Sequence, residues 1–231
     1  FCFCNNLFNI EQIIAETESS VGHGFFSDLL RHDDQARRVS GAYGLGCIGL
    51  KDTSYELVKA LTNEPSYFVV KAIVEALHWI GDERAENAVI EVLKNDDSEQ
   101  FKINSLDKWI ERFRNKNQDI EWNTEDRENY RRAKQNADCR SAATRALGTI
   151  GGVNAVRPLV ELLKNGDWSH HRFPTGATLG RIGIREDWVI EALVESILDE
   201  DYWFRRNSIE GLSLLGGDVA FDLMIELLSS S

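Results

Sequence analysis

Leu45-Gly46-Cys47-Ile48-Gly49 returns along the chain as Leu147-Gly148-Thr149-Ile150-Gly151 and Leu179-Gly180-Arg181-Ile182-Gly183. Looser copies stand at Leu77-His78-Trp79-Ile80-Gly81 and Leu212-Ser213-Leu214-Leu215-Gly216. The leading Leu residues are 32, 70, 32 and 33 positions apart. Seven residues before each comes Arg38, Arg140, Arg172 or Arg205; the second copy has Val70 there, followed by Lys71. A fixed period near 32 residues marks stacked units, each touching only its neighbours and sharing a continuous core.

The copy after Asp138 shows what one unit is. Ala142, Ala143, Ala146 and Leu147 form one apolar stripe of good helix formers, small enough for close helix approach. Gly151 ends that helix, and Ala155 to Leu163 begins a second amphipathic helix with Pro158 in its first turn. Asp82 to Lys94, Trp188 to Leu198 and Val219 to Leu228 repeat the second half. Each unit is therefore a helix, a tight turn and an antiparallel helix.

The 70-residue gap accommodates a degenerate unit with Lys102 in the Arg position and Trp109 in the Leu position. Its second half, Arg112 to Lys134, is almost wholly polar, with Trp122 and Tyr130 as its chief large apolar groups. It reads as a solvated helix laced with opposite charges; a long loop or a docking element are the alternatives. Ile10 to Leu30 gives one earlier helical pair, interrupted at Gly22-x-Gly24. The expected fold is all-α: one right-handed α-solenoid domain over 1–231, of six to seven helical pairs, with second helices lining its inner face. Residues 8–33 form an N-terminal pair, 34–97 two repeats, 98–137 the degenerate repeat and 138–231 three repeats. The last helix would expose Phe221, Met224, Leu227 and Leu228, which predicts association through that end.

Composition narrows the partners. A net charge of −12, with 38 acidic against 26 basic residues, argues against nucleic acid and anionic membrane, since phosphate contacts need clustered Lys and Arg. No stretch reaches the roughly 18 apolar residues of a membrane span. Phe1 to Phe8 lacks the basic start and cleavage site of a signal peptide, and the chain begins without Met. Cys47 and Cys139 read as buried free thiols, and Cys2-x-Cys4 lacks a second ligand pair at zinc spacing. A reducing, cytoplasmic setting fits best. Asp34, Asp138, Asp167 and Asp201 each precede a ladder Arg, which suggests acids at helix N-termini with Arg reaching the same or the adjacent acid.

Over roughly residues 34–228, the Asp-x-x-x-Arg start, Ala-rich first helix, Leu-Gly-x-Ile-Gly turn and Leu-Leu ending resemble HEAT-like repeats named after phycobilisome lyases. The resemblance implies a bilin lyase or bilin chaperone subunit. Such a protein holds an open-chain tetrapyrrole and presents it to a cysteine of a phycobiliprotein for C–S bond formation. It also implies pairing with a second HEAT-like subunit. It carries over no catalytic residue. A different helical-repeat enzyme class holds two irons with His-Glu dipeptides, and this chain has none.

Positions that break the repeat pattern are the site candidates. The turn around Trp168, His170, His171 and Arg172 carries two His, a Trp and Pro174 where other units place small aliphatic residues. The next turn has Tyr202, Trp203, Phe204, Arg205 and Arg206. Stacking would set the two turns side by side, offering apolar walls and cations that suit a bilin or a protein partner. The plainer reading is that Trp168, Trp203 and Phe204 seal the core while Arg172 and Arg205 belong to the ladder. Tyr67-Phe68 and His78-Trp79 echo the pattern and read as core packing. No tightly bound cofactor and no metal are expected. No Gly-x-Ser-x-Gly turn, activated Cys–His pair or phosphate loop is present. The rival to a bilin lyase is a non-catalytic adaptor that grips a partner in its concave groove.

Overall fold

A computed structural model describes residues 19–94, 124–165, 174–199, 201–217 and 225. Among the described residues all regular structure is helical. The elements are α1 (Ser19–Leu30), α2 (Gln35–Ile48), α3 (Thr53–Leu61), α4 (Tyr67–Ile80), α5 (Glu86–Lys94), α6 (Thr124–Ile150), α7 (Val156–Asn165), α8 (Thr175–Ile182), α9 (Asp187–Ile197) and α10 (Tyr202–Leu215). Short 3₁₀ turns, Glu83–Ala85 and Val153–Ala155, lead into α5 and α7.

The recurring phrase is a helix ending. In every copy the last Gly N–H donates to the carbonyl of the leading Leu, at 3.0–3.3 Å. Gly49, Gly81, Gly151 and Gly183 hold φ between 63° and 78°, the left-handed region that glycine enters without steric cost. The five Leu side chains are fully buried. One pentapeptide thus supplies a core anchor, a stop and a reversal of direction.

The first helices α2, α4, α6, α8 and α10 lie side by side in one layer, each packed on the next. Helices α3, α5, α7 and α9 form the second layer, and α1 covers the outer side of α2. The result is an α-solenoid, with one continuous core running from Phe26 to Leu215. Small residues set the spacing of the first layer. A Cβ on Gly176 would meet the Asn207 carbonyl oxygen and the Ser208 Cα, both at 2.7 Å, so α8 and α10 touch backbone to backbone.

Polar bonds join successive second helices. Asp82, buried, caps its own turn by accepting from the Arg84 N–H at 3.1 Å and also accepts from the Ser54 hydroxyl one unit back. Arg84, whose Nε donates to it at 2.9 Å, is the chief reason its carboxyl is pushed down to about 2. One unit further on, buried Glu86 accepts from the Ala155 N–H at 3.1 Å and from Asn154 Nδ2 at 2.9 Å, capping the next unit's turn.

Several expectations change. Gly22, buried, and Gly24, exposed, do not interrupt α1, because a glycine inside a helix costs it only about 1 kcal/mol. Helix α4 packs directly on α6, so the second and third clear copies are immediate neighbours. The polar stretch, from Thr124 on, is the first half of the 27-residue α6. It is a charge-laced helix, with Arg131 and Arg132 on Glu128 at 2.9 and 3.2 Å and Lys134 on Asp138 at 3.4 Å. The expected unit's Lys102 and Trp109 lie outside the described residues, as do Phe221, Met224, Leu227 and Leu228. No described helix is long and apolar enough to cross a membrane.

Candidate functional site

The edge where first helices begin and second helices end carries the ladder arginines Arg38, Arg140 and Arg205, each of which donates to backbone carbonyls there. Arg38 donates to the carbonyls of His32 and Asp33 at 3.0 and 2.8 Å and pairs in bidentate fashion with Glu64, both bonds at 2.9 Å. Arg140, buried, donates to the Leu93 carbonyl at 2.9 Å, and Arg205 to the Asp199 carbonyl at 2.7 Å. Each guanidinium thus tends the end of the preceding helix, where carbonyls lack intrahelical partners. The acids do something separate. Asp34 and Asp201 cap the first turns of α2 and α10, accepting from Arg37 and Phe204 N–H, both at 2.9 Å. Asp138 is no cap, because α6 runs unbroken through it.

Of the expected site residues, Trp168, His170, His171 and Arg172 lie outside the described residues, as does Asp167. The α10 residues divide by direction. Phe204 is 1% exposed and seals the core as the plainer reading expects. Trp203 does not: it is 53% exposed, with Tyr202 at 60% packed edge-on 5.3 Å away. Arg206 stands over the Trp203 ring at 5.5 Å, a cation–π pair open to solvent. Arg205 is turned to the Asp199 carbonyl and serves the scaffold.

The earlier echo is also more exposed than core packing requires. Phe68, which occupies in α4 the register that Trp203 occupies in α10, is 56% exposed. Trp79 is 46% exposed and stacks on Tyr43 at 5.5 Å, while the Tyr43 hydroxyl donates to Glu75 at 2.7 Å. His78 bonds Thr149 Oγ1 at 2.9 Å; burial first, and then Arg145, pulls its pKa below the ordinary value. Among the described residues, no further layer packs against the helix starts and outward faces that carry these aromatics.

One feature escaped the sequence reading. A cleft of about 470 Å³ opens beside Val70, between the end of α3, the start of α4, α5 and α6. Leu61, Val92, Tyr67, Asn136 and Cys139 are among its lining. Its signal was visible: Val70 is the short side chain in a register that otherwise holds arginine. Cys139 donates its Sγ–H to the Tyr67 carbonyl at 3.3 Å, and burial pushes the thiol up to about 12. At neutral pH it is a protonated thiol and a poor nucleophile. Among the described residues no group of His, Cys, Asp and Glu is placed to hold a metal ion.

The family model for HEAT repeats matches residues 25–106 and 127–213. The chain belongs to the HEAT-repeat family. No curated protein matches the sequence. Among solved structures, human deoxyhypusine hydroxylase in complex with glycerol is similar at 18% identity and a TM-score of 0.34, over 88% of this chain and 77% of that one. In a HEAT-repeat protein the scaffold is shared and the surface decoration carries the specificity. Among the described residues, the surface features that stand out from the repeat are Phe68, the Tyr202–Trp203–Arg206 group and the cleft at Val70.

Proposed function

We propose that this HEAT-repeat chain is a binding scaffold that engages a protein partner along the edge bearing Phe68 and Tyr202–Trp203–Arg206. The observation that carries the reading is Trp203: a large aromatic, half exposed, with a cation stacked on it, on a helix whose next residue closes the core. Aromatic and arginine side chains of this kind supply the anchors of protein interfaces. Phe68 and Trp203 are three first-helix steps apart, or roughly 25–30 Å at 8–10 Å per step, a span that suits a polypeptide.

The experiment compares wild type with Trp203→Ala and Phe68→Ala, recovering partners from extract of the source cells and measuring melting on each. The expected outcome is at least a tenfold loss of a specific partner with melting unchanged, because exposed substitutions cost within about 0.5 kcal/mol. Phe204→Ala, in the core, loses about 3–5 kcal/mol. Equal partner recovery by all three proteins refutes the reading.

A second reading is favoured by the pairing of Trp203 with Arg206, an apolar wall beside a cation. That pair suits a propionate-bearing open-chain tetrapyrrole. On this reading the chain, in the cytoplasm and paired with a second HEAT-like subunit, positions a bilin near a phycobiliprotein cysteine, acting by orientation and not by a nucleophile of its own. Mixing with phycocyanobilin or phycoerythrobilin tests it directly. A red-shifted, sharpened band that Trp203→Ala abolishes supports it, and an unchanged spectrum removes it.

A further inference from the structure

Among the described residues three HEAT units place an arginine at one register, and each donates to a carbonyl at the end of an earlier helix. In α2 and α10 the acceptors lie five or six residues upstream: His32 and Asp33 for Arg38, Asp199 for Arg205. The same register from Val70 falls on Glu64 and Pro65. Both line the cleft of about 470 Å³ that the short Val70 side chain leaves open. The lining, among the described residues, holds two carboxylates, Glu64 and Glu91, and no cation. Arg38 already occupies the Glu64 carboxylate, so Glu91 is the anion nearest the solvent side, with Lys94 3.4 Å from it.

We propose that this cleft is a vacant arginine slot, which takes an arginine side chain presented by a partner polypeptide. The guanidinium would supply in the second unit the contact that Arg38, Arg140 and Arg205 supply within the chain. The inference rests on the binding-scaffold reading and names one anchor of its partner. Arginine fits better than lysine because its planar fork reaches carbonyls and a carboxylate at once, as Arg38 does with Nη1 on the His32 and Asp33 carbonyls and Nε and Nη2 on Glu64. Leu61, Val70 and Val92 line the rest of the cleft and suit the aliphatic stem.

The test titrates N-acetyl-arginine amide into the full chain carrying methyl labels, with N-acetyl-citrulline amide as the uncharged isostere. Methyl signals of Leu61, Val70 and Val92 are expected to shift and saturate with a Kd on the order of 1 mM, and at least tenfold more weakly with citrulline. Val70→Arg fills the slot from within; it abolishes the shifts and melts no lower than wild type. Ala88→Leu, which narrows the cleft from α5, weakens arginine binding by a second route. No saturable shift with arginine, an equal response to citrulline, or an unchanged titration in both variants overturns the proposal. Loss of partner capture in Trp203→Ala is read separately, so failure of the slot leaves the scaffold reading standing.

Discussion

Replacing Gly211 by Ala sets two effects of opposite sign against each other. Alanine in a helix interior is favoured over glycine by up to about 1 kcal/mol. At Gly211, however, a Cβ would lie 2.7 Å from the Gly176 carbonyl carbon and closer still to its oxygen. Carbon contacts settle at about 3.5–4.0 Å, so α8 and α10 must part by roughly 1 Å. Both obstructing atoms are backbone, and no rotamer change relieves them. Overpacking of this kind costs about 1–3 kcal/mol; the net expectation is a loss of about 1–2 kcal/mol. Gly24 is the internal control. It too is inside a helix, but a Cβ there meets no heavy atom within 4 Å, and Gly24→Ala is expected to gain about 0.4–1 kcal/mol. For a chain of this size 1 kcal/mol moves Tm by roughly 2–4 °C. Thermal unfolding should therefore lower Gly211→Ala by about 2–8 °C and raise Gly24→Ala by about 1–4 °C. A Gly211→Ala protein melting at or above wild type refutes the backbone contact between α8 and α10.

Three further outcomes follow from the polar bonds. Asp82 has a folded pKa depressed to about 2, so its contribution to stability is complete above the unfolded value near 4 and is lost as pH falls towards 2. Urea unfolding at pH 7, 4 and 3 should show that loss, and Asp82→Asn should lower stability at pH 7 while flattening the decline. Glu86→Ala, which leaves the buried Ala155 N–H without its acceptor, should cost about 1–3 kcal/mol by the same measurement. In a chain whose other three cysteines are serine, Cys139 should resist a thiol-specific reagent at pH 8 until denaturant is added, since burial keeps its proton in place.

The repeat, the helix ends and the layer of small residues were legible because each has a local cause. Leu45-Gly46-Cys47-Ile48-Gly49 contains its own anchor, acceptor and left-handed glycine, and nothing distant is needed to read it. The carbonyl bonds of the ladder were not legible, because Arg140 bonds a carbonyl 47 residues away, and every residue has a carbonyl. Only the packing of α5 against α6 chooses Leu93. The aromatic edge was half legible. Trp203 and Phe204 are adjacent and similarly apolar, yet the helix turns one out and the other in, by a rotation that sequence spacing marks only once the register is known. The cleft at Val70 needed Asn136 and Cys139, brought alongside from a helix whose polar start hid its register. The turn with Trp168 and His170 lies beyond the described residues and remains an expectation.

Helix α6 is nearly twice as long as α2, α4 or α10, at 27 residues against 14. Its first 13 or so residues therefore project roughly 20 Å past the start of its neighbours, at 1.5 Å per residue. That projection rises from the same edge, between Phe68 and Trp203. Among the described residues, α6 thus stands as a post on this edge, with Phe68 on one side and Trp203 on the other. On the binding-scaffold reading, a partner long enough to use both aromatics has to pass this post, and a short one engages a single side.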